Sequence, residues 1–330
     1  MIAFPSLSVV VPVYNSAGVL PALVERLTAV LERSGSDYEV LLVNDGSRDA
    51  SWTSIASLCA AKPRLRGLDL MRNYGQHNAT LAGVRAARNE VIVTIDDDLQ
   101  NPPEEIPKLL AKLAEGYAVV YGTPIEGNRG FWRDVVTWLT KLALRAAIGS
   151  DIAMKVSGFR AFRAELREAF AAFEGPNPNI DVLLSWGTSR YAATPVAHDA
   201  RAEGGSGYTV GSLATHALNV LTGFSTRPLR AATLVGVATM IFGLGVLAYV
   251  LGYYFVKGGD VAGFPFLASI IAIFSGAQLL SLGMIGEYLA RMHTKIMDRP
   301  AYAIRDEVAT QVEPLRAAAP ELEDAGGHTT

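Results

Sequence analysis

The stretch EVIVTIDDDLQNPPEEIP (90–107) passes from an apolar strand, EVIVTID (90–96), directly into the acidic run Asp96-Asp97-Asp98-Leu99-Gln100. A strand that is apolar throughout is expected where helices cover both faces of a parallel sheet. In open α/β sheets ligands bind beyond the carboxyl ends of the strands, which is where this acidic run falls. Extended residues at i and i+2 project the same way, so the carboxylates of Asp96 and Asp98 are expected side by side. Two like charges that close call for a cation. Mg²⁺ or Mn²⁺ suits the site, because hard divalent ions are held by one or two carboxylates and complete their shell with substrate phosphates. A solvated acidic loop is the competing reading. Its position at a strand's carboxyl end, followed by Gln100 and Asn101, argues against it.

Working outward, the same alternation recurs. LSVVVPV (7–13), YEVLLVN (38–44), LRGLDLM (65–71) and AVVYGT (118–123) are separated by amphipathic stretches, the signature of an α/β fold with a largely parallel, Rossmann-like sheet and crossover helices. Past two other strands the chain is again polar, at Pro12-Val13-Tyr14-Asn15 and at Asn44-Asp45-Gly46-Ser47. The second is a turn expected to expose the Asp45 carboxylate, where it could accept hydrogen bonds from a base or ribose. Between 124 and 200 the rhythm breaks into TPIEGNRG (123–130), a helix near 131–148 and a strand near Tyr191 to Val196. Gly205, Gly207 and Gly211 follow no buried strand and lack the spacing of a dinucleotide fingerprint.

The chain has 330 residues, half of them apolar, and a net charge of −3, too little positive charge for nucleic acid as its main partner. The apolar excess is concentrated in two places. Arg230 and Lys257 enclose 26 uncharged residues, and Asp260 and Glu287 enclose another 26, each longer than the roughly 20 that cross a bilayer as a helix. Two C-terminal transmembrane helices are expected. Arg227 and Arg230 before them and Arg291, Lys295 and Arg299 after them are expected to keep both ends on the cytoplasmic side of the membrane. The N-terminus lacks the pattern of a signal peptide. Cys59 is alone, so no intramolecular disulfide forms.

The expected organisation is a catalytic domain over 1–208, an amphipathic juxtamembrane segment over 209–228, spans at 229–257 and 264–290 joined by a short loop at 258–263, and a cytoplasmic tail over 291–330, mobile after Arg305. Glu287 and Arg291 suit a helical pair at the end of the second span. Ser275, Gly276, Gln278 and Gly283 are residues of the kind that mediate helix association in lipid, so a homo-oligomer is expected.

VPVYN at 11–15, the NDGS turn at 44–47, RNYGQH at 72–77 and DDDLQNPPEEIP at 96–107 resemble the family 2 glycosyltransferases, which have the GT-A fold. With GGSGY at 204–208, FSTRPLR at 224–230, the two spans and GEYLAR at 286–291, the resemblance narrows to the polyprenyl-phosphate glycosyltransferases and covers about residues 6 to 300. It implies that Pro12, Tyr14, Asn15 and Asp45 line a nucleotide pocket with Arg72 near the nucleotide or diphosphate, and that Gln100 joins Asp96 and Asp98 around the metal. It also implies that Arg201 is the basic catalytic residue that meets phosphate, that Ser206 and Tyr208 in the same run help bind the donor, and that Arg129 and Arg133 lie in an acceptor loop. Ser16 stands where many relatives carry Glu, Asn44 where many carry a first Asp, and Gly207 where many carry Lys. Arg201, Arg129 or Arg133 would then supply the missing charge, guanidinium being well shaped for phosphate.

The implied partners are a nucleotide-sugar donor, with UDP as nucleotide, a polyprenyl phosphate acceptor, undecaprenyl in bacteria, and membrane lipid. The implied reaction is one inverting displacement at the anomeric carbon. The acceptor phosphate is already anionic at neutral pH, so neither His77 nor His198 is needed as a base. A polysaccharide synthase would carry QxxRW and more spans, neither of which is found. A catalytically inert membrane adaptor would have no use for Asp45, Asp96 and Asp98.

Overall fold

A computed structural model describes residues 6–124, 155–199, 227–257, 263–297 and 300–309. The expected helix near 131–148, the amphipathic segment over 209–225 and the residues Arg129, Arg133, Arg201, Ser206 and Tyr208 lie outside them.

Eight strands form one sheet: β1 (Leu7–Val13), β2 (Tyr38–Asn44), β3 (Leu65–Leu70), β4 (Val91–Thr94), β5 (Val119–Pro124), β6 (Arg160–Arg163), β7 (Tyr191–Val196) and β8 (Ile304–Ala309). Their order is β7-β5-β6-β4-β1-β2-β3-β8. β1 is central, parallel to β2 and β4, with Val9 opposite Val40 on one side and Val93 on the other. β6 runs antiparallel to β4 and β5, and β8 antiparallel to β3, so a parallel core carries reversed strands on both sides.

The crossovers are α1 (Leu20–Ser34), α2 (Ser51–Ala61), α3 (Gln76–Ala86) and α4 (Ile106–Ala114), with α5 (Ile180–Gly187) between β6 and β7. Successive residues of a strand face opposite ways, and the core divides accordingly. Val9, Val11, Val40, Leu42, Val91 and Val93 join one apolar cluster with α1 and α4, whereas Val10, Leu41, Val43 and Ile92 join another with α3 and α5. This double covering is why the strands read as unbroken apolar runs. On α1, Leu20, Leu23, Val24, Leu27 and Leu31 make the buried stripe, each such side chain contributing about 1.5–3 kcal/mol. Gly35, at φ +69°, ends the helix in the left-handed conformation.

Two long helices follow, α6 (Arg227–Lys257) and α7 (Phe264–Ile296), and α7 runs beyond the expected end at 290. Leu229–Tyr253 of α6 is long and apolar enough to cross a membrane, with a mean hydropathy of 2.3. Among the described residues it is the one helix that meets that test. The two helices pack together, Phe274 lying against the bare backbone of Gly243.

One expectation is corrected. The chain after Arg305 is ordered as far as Ala309, because it completes the sheet as β8. Its polar sequence hid it: apart from Val308, which packs on the core over Gly67, the strand is held by an edge ladder and charges, with Arg66 to Glu307 at 2.8 Å and Arg305 to Asp69 at 3.4 Å.

Candidate active site at the carboxyl edge of the sheet

The loops after β1, β2, β3 and β4 converge beyond the carboxyl ends of the parallel strands. Pro12 is buried within β1, opposite Val43 of β2. Tyr14 and Asn15 emerge from the strand exposed, and Asn15 takes a left-handed φ of 54°. Its backbone N–H donates to Ser47 Oγ at 3.0 Å, and its side-chain Oδ1 accepts from the Arg48 N–H at 2.8 Å. The β1 and β2 loops are thereby stitched together.

Asp45 differs from the sequence reading. The residue is only 3 % exposed, because the loop after β3 folds over it: Oδ1 accepts from Tyr74 N–H at 2.7 Å and Oδ2 from Gly75 N–H at 2.9 Å. Burial pushes its pKa up, opposed by those N–H groups and by the Arg72 charge. Gly46 allows the loop to approach, since at φ +63° a Cβ would sit 2.4 Å from the Arg72 carbonyl carbon. Arg72 itself is exposed, its guanidinium 4.3 Å from the Tyr74 ring centroid. Asn44 bridges to β3 by donating to Asp69 Oδ1 at 2.7 Å.

β4 ends at Thr94, so the aspartates lie in a turn, yet their alternation persists. Asp96 feels the charge of Asp98, whereas Asp97 turns toward the β1 loop, accepting from Tyr14 N–H at 3.0 Å and from the Ser16 hydroxyl at 2.6 Å. Burial raises the pKa of Asp97, opposed by these two donors. Leu99, at φ +60°, and Asn15 are the positive-φ non-glycine residues among those described. Both belong to this site, and such backbone is held only where its surroundings over-determine it.

Asp96 is the most perturbed of these carboxyls, its pKa pushed up to about 6 by burial first and by Asp98 second, against the pull of Arg160. Gln76 Nε2 donates to its Oδ1 at 2.7 Å. The backbone of Gly158 lies against it so closely that a Cβ there would be 2.9 Å from Oδ2. Behind it Thr94 donates to the Gly158 carbonyl at 2.7 Å, and Arg160 donates to Thr94 Oγ1 at 3.0 Å while pairing with buried Asp181. Asn179 caps α5 through Asp181 and Val182 N–H, fixing that partner. Beyond the turn, Gln100 N–H donates to Asp98 Oδ1 at 3.1 Å and the Gln100 carbonyl accepts from Asp199 N–H at 2.9 Å, which draws the chain after β7 to the acidic turn.

A divalent cation fits here. Asp96 is held against a neighbouring negative charge in a partly buried site, a cost that a cation would remove. Among the described residues there is no cluster of three His, Cys, Asp or Glu side chains to form a closed protein cage. Two carboxylates with open positions suit an ion that also takes phosphate oxygens.

The structure thus brings together Pro12, Tyr14, Asn15, Asp45, Arg72, Asp96, Asp98 and Gln100. Sequence reasoning missed Gln76, Asp97, Gly158 and Arg160. Gln76 lies inside the RNYGQH run and Asp97 inside the acidic run, so both were in view without an assigned partner. Gly158 and Arg160 carried no local signal.

Residues 8–170 match the family described as Glycosyl transferase family 2. The chain is 37% identical over 312 residues to the undecaprenyl-phosphate 4-deoxy-4-formamido-L-arabinose transferase of Enterobacter sp. (strain 638), covering 93% of this chain and 95% of that one. The protein of the same name from Pseudomonas aeruginosa (strain LESB58) is 37% identical over 322 residues, covering 94% and 93%. Glucosyl-3-phosphoglycerate synthase from Mycobacterium tuberculosis, crystallised with Mn²⁺ and UDP-glucose, shares the fold with a TM-score of 0.50 at 19% identity, over 66% of this chain and 77% of that one. With its parallel core, reversed strand β6 and acidic turn after β4, the chain belongs to glycosyltransferase family 2 and has the GT-A fold.

Proposed function

We propose that the protein transfers a sugar, with inversion, from a UDP-linked nucleotide sugar to a polyprenyl phosphate at the cytoplasmic face of a bacterial membrane. The observation that carries this reading is the likeness to undecaprenyl-phosphate transferases over 93% of the chain, helices included, rather than over the catalytic domain alone.

The loops after β1 and β2 would receive the nucleoside, with Asp45 acting indirectly by holding the loop that carries Arg72. Asp96 and Asp98, with Gln100, would hold Mg²⁺ or Mn²⁺. When bound, that ion neutralises charge on the departing diphosphate. Arg72 adds positive charge from the β3 loop. Arg201, Ser206 and Tyr208, with Arg129 and Arg133, are assigned to the phosphates and the acceptor on resemblance alone. The acceptor phosphate attacks the anomeric carbon, the bond to the diphosphate breaks, and the electron pair leaves with the nucleotide. An anionic nucleophile needs no base, so holding it in line is the protein's main task.

Two spans, α6 and α7, would keep this site beside its lipid acceptor. What supports the pair is the pairing of β8 with β3: a chain that leaves the side of the sheet through α6 must return through α7 for Ile304–Ala309 to reach that edge. Association of these helices into a homo-oligomer is part of the proposal, and a monomer in crosslinking and in detergent sizing would count against it.

The test is transfer of labelled sugar from a panel of nucleotide sugars to short-chain polyprenyl phosphate in detergent, with metal or EDTA. Metal-dependent formation of a lipid-linked sugar, lost in Asp98→Ala, is expected. A complete panel giving neither transfer nor nucleotide binding would replace this reading with the inert adaptor.

A further inference from the structure

We propose that Asp97 is a positioning residue that locks the Tyr14–Ser16 loop onto the Asp96–Asp98 turn, so that nucleotide and divalent cation bind cooperatively. This rests on the reading above, in which the first loop meets the nucleoside and the second the metal and diphosphate.

One oxygen, Asp97 Oδ2, accepts both the Tyr14 N–H at 3.0 Å and the Ser16 hydroxyl at 2.6 Å. These contacts join residues 83 and 81 positions apart in sequence, the ends of neighbouring strands β1 and β4. Each of the two loops they tie also carries a non-glycine residue at positive φ, Asn15 at 54° and Leu99 at 60°. A leucine holds such a conformation only under constraint, whereas asparagine tolerates it, and Asp97 ties the loop that carries each of them to the other. The single Ser16 hydroxyl proton goes to Asp97 at 2.6 Å rather than to the Tyr14 carbonyl at 3.2 Å, and the Ser16 backbone N–H donates to Ser51 Oγ at 2.9 Å, so the loop is held from both sides of the serine.

Parity separates the roles of the three aspartates. Asp96 faces Gln76 and Gly158 and feels the Asp98 charge, whereas Asp97 between them spends an oxygen on the β1 loop. Serine at position 16 now has a reason. A glutamate there would bring a second negative charge against Asp97, whereas a hydroxyl gives it a donor.

A ligand that spans two loops gains affinity according to how well the loops are held in register beforehand. With the lock intact, a diphosphate fixed on the cation leaves the nucleoside aligned with Tyr14 and Asn15. Without it, the loops must be ordered at the moment of binding, and the cation helps the nucleotide less.

The test is calorimetric titration of the full chain in detergent with UDP and GDP, each with Mn²⁺ and with EDTA, for the parent, Asp97→Ala, Asp97→Asn and Ser16→Ala. The quantity read is the factor by which Mn²⁺ tightens nucleotide binding. A defect confined to folding or to the nucleoside pocket weakens both titrations alike and leaves that factor unchanged. We expect it to fall about tenfold in Asp97→Ala, the scale of hydrogen bonds to a charged acceptor. Asp97→Asn, whose carbonyl can still accept, should recover part of it, and Ser16→Ala should lose less than Asp97→Ala. An unchanged factor in Asp97→Ala, with the parent showing clear coupling, would overturn the lock and leave the proposed function standing. A parent that binds neither nucleotide would overturn the donor reading and the lock together.

Discussion

Replacing Asp96 by asparagine should stabilise the metal-free protein at neutral pH, although it removes a proposed metal ligand. In the folded chain the Asp96 pKa is pushed up to about 6 from 3.8, by burial and by Asp98. An acid whose folded pKa is raised binds more protons folded than unfolded between those two values, so stability falls as pH rises from 3.8 to about 6 and is flat above. The full cost above pH 6 is about 3 kcal/mol, reduced to about 1–2 kcal/mol because the carboxyl is partly open to solvent. Asparagine is uncharged at every pH and keeps an acceptor for Gln76 Nε2. Thermal unfolding in detergent with EDTA should therefore show Asp96→Asn melting about 2–8 °C above the parent near pH 7.5, for a domain of this size. The gap should shrink toward pH 4, and saturating Mn²⁺ should reverse it by stabilising the parent alone. A variant less stable than the parent at pH 7.5 in EDTA, or a gap that does not change with pH, would refute the reasoning.

Gly158→Ala would place a methyl group 2.9 Å from Asp96 Oδ2, and it should lower Mn²⁺ affinity about tenfold or more, judged by metal titration, with little change in nucleotide binding under EDTA. Gly46→Ala meets the Arg72 backbone at 2.4 Å from a left-handed φ, so a loss of about 1–3 kcal/mol is expected in denaturant unfolding together with weaker nucleotide binding. Asp181→Ala leaves the Arg160 guanidinium buried without its partner and should cost about 3–5 kcal/mol, whereas an ordinary surface carboxylate would cost little.

Much of this was legible along the chain. The apolar strands at 7–13, 38–44 and 65–71 declared a sheet covered on both faces, because burial on both sides leaves no polar position to alternate with. The acidic run marked where the carboxylates gather, because a polar run directly after an apolar strand falls at the carboxyl edge of such a sheet. The two long helices were equally plain, since uncharged, largely apolar runs of 26 residues with no proline in mid-run favour long helices.

Other features depend on partners far away in sequence. That Asp45 faces inward was decided by Tyr74 and Gly75, about 30 residues on. β8 was polar enough to pass for a loose tail, and its identity comes from pairing with β3 and from Arg66, 241 residues from Glu307. Periodicity and composition report how a segment meets solvent or core, and so the sequence by itself determined the layers, the sheet and the place of the acidic turn. Hydrogen bonds between loops depend on where separate strands end. Only the tertiary structure could therefore decide that Asp97 holds the β1 loop, that Gly158 bounds the Asp96 carboxylate, and that the chain after the long helices returns to close the sheet.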